Sequence, residues 1–296
     1  MVERILVTGA GGFLGKHVMR RFKEAGYNVI GIDLRDSDYY VDVTDFEAFV
    51  DVAKKVSPSL IIHLAALVGG DPSFKNPYEY FKVNVLGTLN VFESCRKLGI
   101  NKVIYMSSFS PFGLATKIDE DTPFDPQNPY GGSKAAAEYI ARTYAVCYGI
   151  RTLIFRAPLI AGEGQTEYNA LQEFVDCVLN SRPIVIFGKG DHKREWLHPD
   201  DVVDAFMAGI NYLDKMNKPY DVFTLGSGNP ISMNQLAELV MKVLGKKVQV
   251  IHTKMERTYL DQVSDTRKSN KILKWYPKIG IEEIIRRVAE YRSKEY

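Results

Sequence analysis

Cysteine is scarce: only Cys95, Cys147 and Cys177 occur in 296 residues. An odd number cannot all pair within one chain, and their spacing matches no metal-ligand pattern, so neither a disulfide framework nor a metal site is expected. Each lies in an apolar helical pattern and reads as a buried, reduced packing residue. Long hydrophobic runs are also missing. The most apolar segment, 60–68, contains His63 and has about half the length needed to span a bilayer. The start, Met1-Val2-Glu3-Arg4, enters an apolar stretch (Ile5-Leu6-Val7) too short for a signal-peptide core, so a soluble, cytoplasmic protein is expected. Nor does either sign of charge dominate: 38 Lys and Arg against 36 Asp and Glu leave +2. That balance argues against nucleic acid or an anionic membrane as partner. Repeats and low-complexity tracts are absent. What is present, 46% hydrophobic and 25% charged residues, suits a globular protein that needs no covalent staple.

The first 155 residues alternate short β-branched runs with longer helical patterns. Strands are expected over 4–7, 28–32, 60–64, 103–106 and 152–155, with helices near 13–25, 45–56, 78–98 and 130–148. Continuous apolar runs such as Leu60-Ile61-Ile62 and Val103-Ile104-Tyr105 suit strands buried on both faces. The alternation predicts an α/β fold built on a doubly wound parallel sheet. After Arg156, Pro158, Gly162, Gly164, Pro183, Gly188 and Gly190 punctuate shorter elements. Ser232 and Gln235 form a capping-box signature for a helix ending near Gly245. A strand over 248–251 and helices near 266–273 and 281–293 complete the reading.

Chemistry enters at Thr8-Gly9-Ala10-Gly11-Gly12-Phe13-Leu14-Gly15. Glycines after a strand permit a tight turn and close approach of a pyrophosphate to the following helix N-terminus. The spacing present is Gly9-x-x-Gly12-x-x-Gly15. Asp33 closes the second strand, where a carboxylate accepts ribose hydroxyls and repels a 2′-phosphate, favouring NAD over NADP. Arg35, two residues on, is of the type that accommodates such a phosphate.

Tyr130 and Lys134 stand four apart at the start of a predicted helix, hence on one face. Ser107-Ser108 follows the strand 103–106, at the sheet end where α/β folds bind ligands. A phenol near pKa 10 is a poor base at neutral pH. A neighbouring ammonium and a positive nicotinamide ring both favour phenolate, and a serine hydroxyl can hold the oxygen that loses its proton.

In this order and spacing, the sequence resembles an extended short-chain dehydrogenase/reductase of the NAD-dependent epimerase/dehydratase family, similar to UDP-glucose 4-epimerases. The resemblance covers almost the whole chain. It is carried by Gly9-x-x-Gly12-x-x-Gly15, Asp33, Asp42-Val43, His63-Leu64-Ala65-Ala66, Asn84-Val85-x-Gly87-Thr88, Ser107-Ser108, Tyr130-x-x-x-Lys134 and Arg156. It continues through Gly188-x-Gly190-x-x-x-Arg194-Glu195-Trp196-Leu197-His198-x-x-Asp201, Asp265-Thr266 and Trp275-x-Pro277. It implies a Rossmann-type NAD-binding domain over 1–157, to which segments near 191–225 return. A smaller α/β substrate-binding domain would take up most of 158–296.

Carried over by motif, Tyr130 is the acid/base, Lys134 binds the nicotinamide ribose and lowers the phenol's pKa, and Ser108 bonds the reacting hydroxyl. Asn84 orders cofactor and active site. Phe13, Leu14, Asp42, Val43, Leu64, Ala65, Ala66 and Pro158 line the NAD site. Arg194 and Arg257 hold the nucleotide or pyrophosphate, which suits guanidinium forks. The resemblance also implies a homodimer joined through helices near 81–98 and 130–148.

The implied activity is epimerisation of a nucleotide sugar, at C4 of a UDP-hexose, by transient oxidation at that carbon. The alternative within the same machinery is a net NAD(P)-dependent keto-sugar reductase or dehydrogenase. A third reading, a non-catalytic NAD-sensing regulator, is disfavoured by the presence of Ser108, Tyr130 and Lys134 together. Three positions depart from the family pattern. Leu159 replaces an asparagine that helps hold the nucleotide sugar, and Pro111-Phe112 replaces Val-Tyr. Phe109-Ser110 stands where dehydratases carry Asp-Glu, so dehydration lacks its acid. His63 and His198 read as structural histidines, with no metal ligand set. Asp200, Asp201 and Asp204 read as a charged helix N-terminus.

Overall fold

The computed structural model describes residues 4–165, 169–254 and 260–294. Its main sheet has seven strands: β1 (Arg4–Thr8), β2 (Asn28–Asp33), β3 (Tyr39–Tyr40), β4 (Leu60–His63), β5 (Lys102–Met106), β6 (Arg151–Arg156) and β7 (Tyr220–Thr224). All pair in parallel, in the order β7-β6-β5-β4-β1-β2-β3. The order runs outward in both directions from β1 and β4, so the crevice beyond their carboxyl ends is the topological switch point, where such folds bind ligands.

Helices α1 (Phe13–Glu24), α2 (Phe46–Val56), α3 (Gly70–Lys75), α4 (Pro77–Phe81), α5 (Gly87–Leu98) and α6 (Pro129–Tyr148) belong to the first half of the chain. Later come α7 (Ala170–Leu179), α8 (Pro199–Leu213), α9 (Met233–Leu244), α10 (Arg267–Leu273) and α11 (Ile281–Arg292). The capping box forms as expected: Ser232 Oγ accepts from Gln235 N at 3.1 Å and Gln235 Oε1 accepts from Ser232 N at 2.9 Å. Helix α9 ends at Gly245, whose φ of 64° lies in the left-handed region.

Strand residues alternate between two cores. Ile5, Val7, Ile62, Ile104, Phe155 and Phe223 face one side, packed with Val18 and Phe22 of α1 and Val202, Val203 and Phe206 of α8. Leu6, Ile61, Val103, Tyr105, Ile154 and Val222 face the other, with Phe49 of α2, Val91 and Phe92 of α5 and Ala137 and Ala141 of α6. This period of two, with both faces covered, is why the strands read as unbroken apolar runs. A third core joins α7, α9 and α11 with Ile184, Ile186 and Trp196.

Four findings correct the sequence reading. The helix expected over 78–98 is interrupted: residues Lys82–Leu86 form a π-helical turn between α4 and α5. The Thr88 hydroxyl donates to the Asn84 carbonyl of this turn at 2.6 Å. Strand β3 has only two residues, too few for a periodic signal. Cys147 is exposed, unlike the buried Cys95 and Cys177, because it falls four and eight residues after the exposed Thr143 and Tyr139, on the outer face of α6, while Ala137, Ala141 and Ala145 take the core face.

The acidic start of α8 is the fourth correction. Asp200 and Asp201 are buried and bind particular partners rather than only a dipole. Asp200 pairs with His17 at 2.9 Å and Arg20 at 2.8 Å, tying α8 to α1. Asp201 accepts from the amides of Lys278 and Ile279 at 2.8 and 3.1 Å. His198 caps α8: its Nδ1 accepts from Asp200 N at 3.1 Å while Nε2 meets Glu163 at 2.9 Å.

Candidate active site

The turn after β1 is built by close approach. Gly9 has φ 73°, and a Cβ there would stand 2.7 Å from the Ala65 amide nitrogen. A Cβ on Gly15 would stand 2.0 Å from the Gly9 carbonyl oxygen. Glycine is therefore required at both positions if β1, α1 and the segment after β4 are to meet. Helix α1 starts at Phe13 with no side-chain cap and no acidic residue in its first turn. Its N-terminal amides are left to an anion.

Asp33 leans over this turn. Its carboxylate accepts from the amides of Gly11 at 3.0 Å and Leu34 at 2.6 Å. Phe13, Leu14, Leu64, Ala65 and Ala66 are half-buried around the switch point, and Leu64 N donates to the Thr8 carbonyl at 3.1 Å. Val43 is buried, its carbonyl held by Asn90 Nδ2 at 2.9 Å, whereas Asp42 is exposed. The glycine cradle, the uncapped helix and the carboxylate at the strand end fit an NAD molecule lying across the crevice.

Asn84 sits within the π turn and is buried. Its Oδ1 accepts from Leu67 N at 2.8 Å, and its Nδ2 donates to Leu67 O at 3.0 Å and Ser133 Oγ at 2.9 Å. It therefore clamps the segment after β4 to the start of α6 and acts through its neighbours. His63 explains part of this order. Its Nδ1 accepts from Thr8 Oγ1 at 2.7 Å and its Nε2 donates to Thr88 Oγ1 at 3.0 Å. We assign that tautomer because the Thr88 hydroxyl already donates to Asn84 O.

Burial, aided by the Lys134 charge, pushes the His63 imidazole down to about 3. The folded protein keeps it neutral while the unfolded chain protonates near 6.5. Stability should therefore fall as pH drops below 6.5 and continue to fall towards 3, by roughly 5 kcal/mol at about 1.36 kcal/mol per unit. Urea unfolding between pH 7 and pH 4 checks this, and a His63→Asn protein should show a shallower slope.

The side chains expected to react lie on the segment after β5 and on α6. Ser107 N donates to Phe155 O at 2.7 Å and Phe109 N to Ala157 O at 3.0 Å. The chain beyond β5 thus runs beside the chain beyond β6, bringing Ser108 alongside Ala157 and Phe109 alongside Pro158. Asn128 caps α6 by accepting from Gly131 N at 2.8 Å, with Pro129 in the first turn. That start brings the Tyr130 phenol to Ser108, with which it hydrogen-bonds, and its ring edge-on to Tyr80 at 6.1 Å. One turn deeper, Lys134 Nζ donates to the Met106 carbonyl at 2.6 Å and lies 4.4 Å from the Tyr105 ring centroid.

Burial raises the Tyr130 pKa, opposed by the Ser108 hydrogen bond. Lys134 is drawn inward to Met106, and burial pushes its ammonium down to about 7, with Glu138 acting the other way. Glu138 and Arg156 were not expected as a pair, although Glu138 falls one turn after Lys134 on the same helix face. Arg156 Nη2 reaches Glu138 at 2.8 Å.

On the substrate side, Arg194 is half-buried and donates through Nη1 to the Lys193 and Leu260 carbonyls. Arg257 lies outside the described residues. Leu159 is partly exposed beyond β6, and Phe109 is buried beside Phe112 and Ile118. Among the described residues, no group of three or more His, Cys, Asp or Glu side chains could hold a metal ion.

Comparison with known proteins agrees with this geometry. The UDP-glucuronate 4-epimerase of Thermodesulfobacterium geofontis is 31% identical over 315 residues, covering 98% of this chain and 96% of its own. The structure of UDP-glucose 4-epimerase with UDP-glucose from Thermotoga maritima is similar with a TM-score of 0.90 at 27% identity, each chain covered to 99%. MoeE5 in complex with UDP-glucose and NAD gives 0.90 and 27%, again with 99% of each chain covered. Residues 5–226 match the family's profile, and the chain belongs to the NAD dependent epimerase/dehydratase family.

Proposed function

We propose that the protein is an NAD-dependent nucleotide-sugar epimerase that inverts C4 of a UDP-hexose. The observation that carries this reading is the meeting of Ser108, Tyr130 and Lys134 at the carboxyl end of β5, beside the glycine turn. Bound NAD supplies a reversible hydride acceptor at C4. Tyr130 takes the proton of the C4 hydroxyl and returns it, while Ser108 holds the oxygen between the two transfers. Lys134 contributes positive charge behind the phenol, and Asn84 keeps the start of α6 in register with the segment after β4. Arg194 is assigned to the nucleotide phosphates. Dehydration is not supported, because Phe109 is packed away among apolar side chains and Ser110 has no acidic proton.

Incubation with NAD and a panel of UDP-hexoses, UDP-hexuronates and dTDP-hexoses tests the reading. Epimer formation without net absorbance change at 340 nm is expected, and stoichiometric NADH change would make it a reductase or dehydrogenase instead. A protein that converts no nucleotide sugar would end the proposal. For the cofactor, Asp33→Ala should weaken NAD binding roughly 10- to 100-fold, since a hydrogen bond to a charged group is worth about 1.5–3 kcal/mol. It should also narrow the preference over NADP. Calorimetric titration with both dinucleotides reads the two effects.

Assembly and location follow from the same reading. Tyr139 and Val146, seven residues apart on one side of α6, are both more than half exposed, an apolar surface suited to a second copy. Light scattering should give twice the chain mass, and a value near 33.4 kDa would reject the dimer. No helix among the described residues is long and apolar enough to cross a membrane. A cytoplasmic location would keep the buried thiols of Cys95 and Cys177 reduced.

A further inference from the structure

Tyr130, Lys134 and Glu138 recur every four residues along α6, so they lie along one face of the helix. The first two belong to the site, and the third has no solvent exposure. Its carboxylate accepts from Ser107 Oγ at 2.8 Å on one oxygen and from Arg156 Nη2 at 2.8 Å on the other. Arg142, one turn on, also reaches it. Arg156 is itself buried, donates to the carbonyls of Asp119 and Glu120 at 2.9 and 3.0 Å, and packs on the Phe112 ring at 4.6 Å. A buried ion pair contributes little net stability over apolar residues of the same volume. Stability alone is therefore a weak reason for a carboxylate here.

We propose that Glu138 is a positioning residue for the reaction: it fixes Ser107, and through it the adjoining Ser108 hydroxyl, while furnishing the countercharge of the Lys134 ammonium. The proposal rests on the epimerase reading of the site. The groups facing Lys134 are few. Tyr130 and Glu138 come from its own helix, Tyr105 from β5 and His63 from β4, and His63 is neutral above about 3. Facing Glu138 are Ser107 from β5's extension, Arg156 from β6 and Arg142 from α6. Of the charges around Lys134, Glu138 is the one that raises its pKa, against a larger lowering by burial that leaves it at about 7. Loss of the carboxylate therefore lowers Lys134 further, and the ammonium behind Tyr130 disappears at neutral pH.

The test follows Lys134 directly in NAD-loaded protein carrying lysine labelled with carbon-13 at Cε, whose NMR shift reports protonation. Lys134→Met identifies the signal by its loss. In Glu138→Gln the Lys134 midpoint should fall by about one pH unit or more, the size expected when an opposite charge is removed from the vicinity. The pH at which the rising limb of kcat levels off should move down by the same amount, with KM little changed. Glu138→Asp keeps the charge and should restore the parent midpoint. If buried Arg156 prevents the Gln variant from folding, Glu138→Gln with Arg156→Gln removes both charges together and should still lower the midpoint, by less than the single variant because a neighbouring positive charge is lost as well. Ser107→Ala leaves every charge in place and should lower kcat about tenfold or more by displacing Ser108, with the Lys134 midpoint unmoved. An unmoved midpoint in the folded Gln variants, or full kcat in Ser107→Ala, overturns the proposal. If the parent protein epimerises no nucleotide sugar, the functional reading falls while the NMR titration still judges Glu138.

Discussion

Tyr130→Phe should lower kcat about a thousandfold while leaving NAD affinity and thermal stability near those of the parent. General acid–base catalysis contributes about 10²–10⁴ in rate, and the phenol is the group at Ser108 assigned to proton transfer. The substitution keeps the ring that meets Tyr80 edge-on at 6.1 Å and removes only the hydroxyl. Because Tyr130 is half-buried, little packing is lost with it. The pH dependence should have a definite shape. Burial raises the phenol's pKa and lowers that of Lys134 to about 7. Because the phenol ionises above the Lys134 ammonium, activity that needs phenolate and ammonium together should rise with pH up to about 7, level off, and fall only above the phenol's pKa. Rapid-quench assay of epimer formation, with calorimetric NAD binding as control, checks the prediction. A variant keeping a tenth or more of parental kcat would transfer the acid/base role to another group.

Gly15→Ala should weaken NAD binding roughly 10- to 100-fold and lower thermal stability. The added Cβ would stand 2.0 Å from the Gly9 carbonyl oxygen and 2.8 Å from the Ala10 backbone. Both obstacles are main chain held by the turn, where Gly12 N donates to Gly9 O at 3.1 Å and Ala10 N to Ile32 O at 3.2 Å. Neither can swing aside as a side chain would. Overpacking of this kind costs about 1–3 kcal/mol, and each 1.4 kcal/mol is about tenfold in affinity. The expected strain falls where the helix N-terminus must meet a pyrophosphate, so affinity and melting temperature should drop together. Unchanged NAD affinity would mean that the dinucleotide does not approach this turn.

Much of this architecture is legible in local patterns. Parallel strands covered on both faces must be apolar at successive positions, so Leu60-Ile61-Ile62 announces β4 without any knowledge of its neighbours. The glycine turn, Asp33 at the end of β2 and the capping box at Ser232 and Gln235 also depend on contacts or spacings close along the chain. Tyr130 and Lys134 are visible as a pair because helical geometry brings residues four apart together. Cys147 shows the limit of such patterns, since an apolar run does not say which of its residues face the core.

By itself, then, the sequence determined the alternation of the main strands and helices, the glycine turn after β1 and the helical pairing of Tyr130 with Lys134, all products of backbone geometry and short-range spacing. Tertiary structure alone decided which buried charges meet. Asp200 finds His17 and Arg20 across more than 170 residues. Lys134 turns to the Met106 carbonyl rather than to the phenol, and Glu138 joins Ser107 to Arg156. A buried polar group must be satisfied by whatever the fold delivers to it, and the penalty for leaving it unpaired is large. Its partner depends on strand order and helix packing, which are properties of the assembled chain.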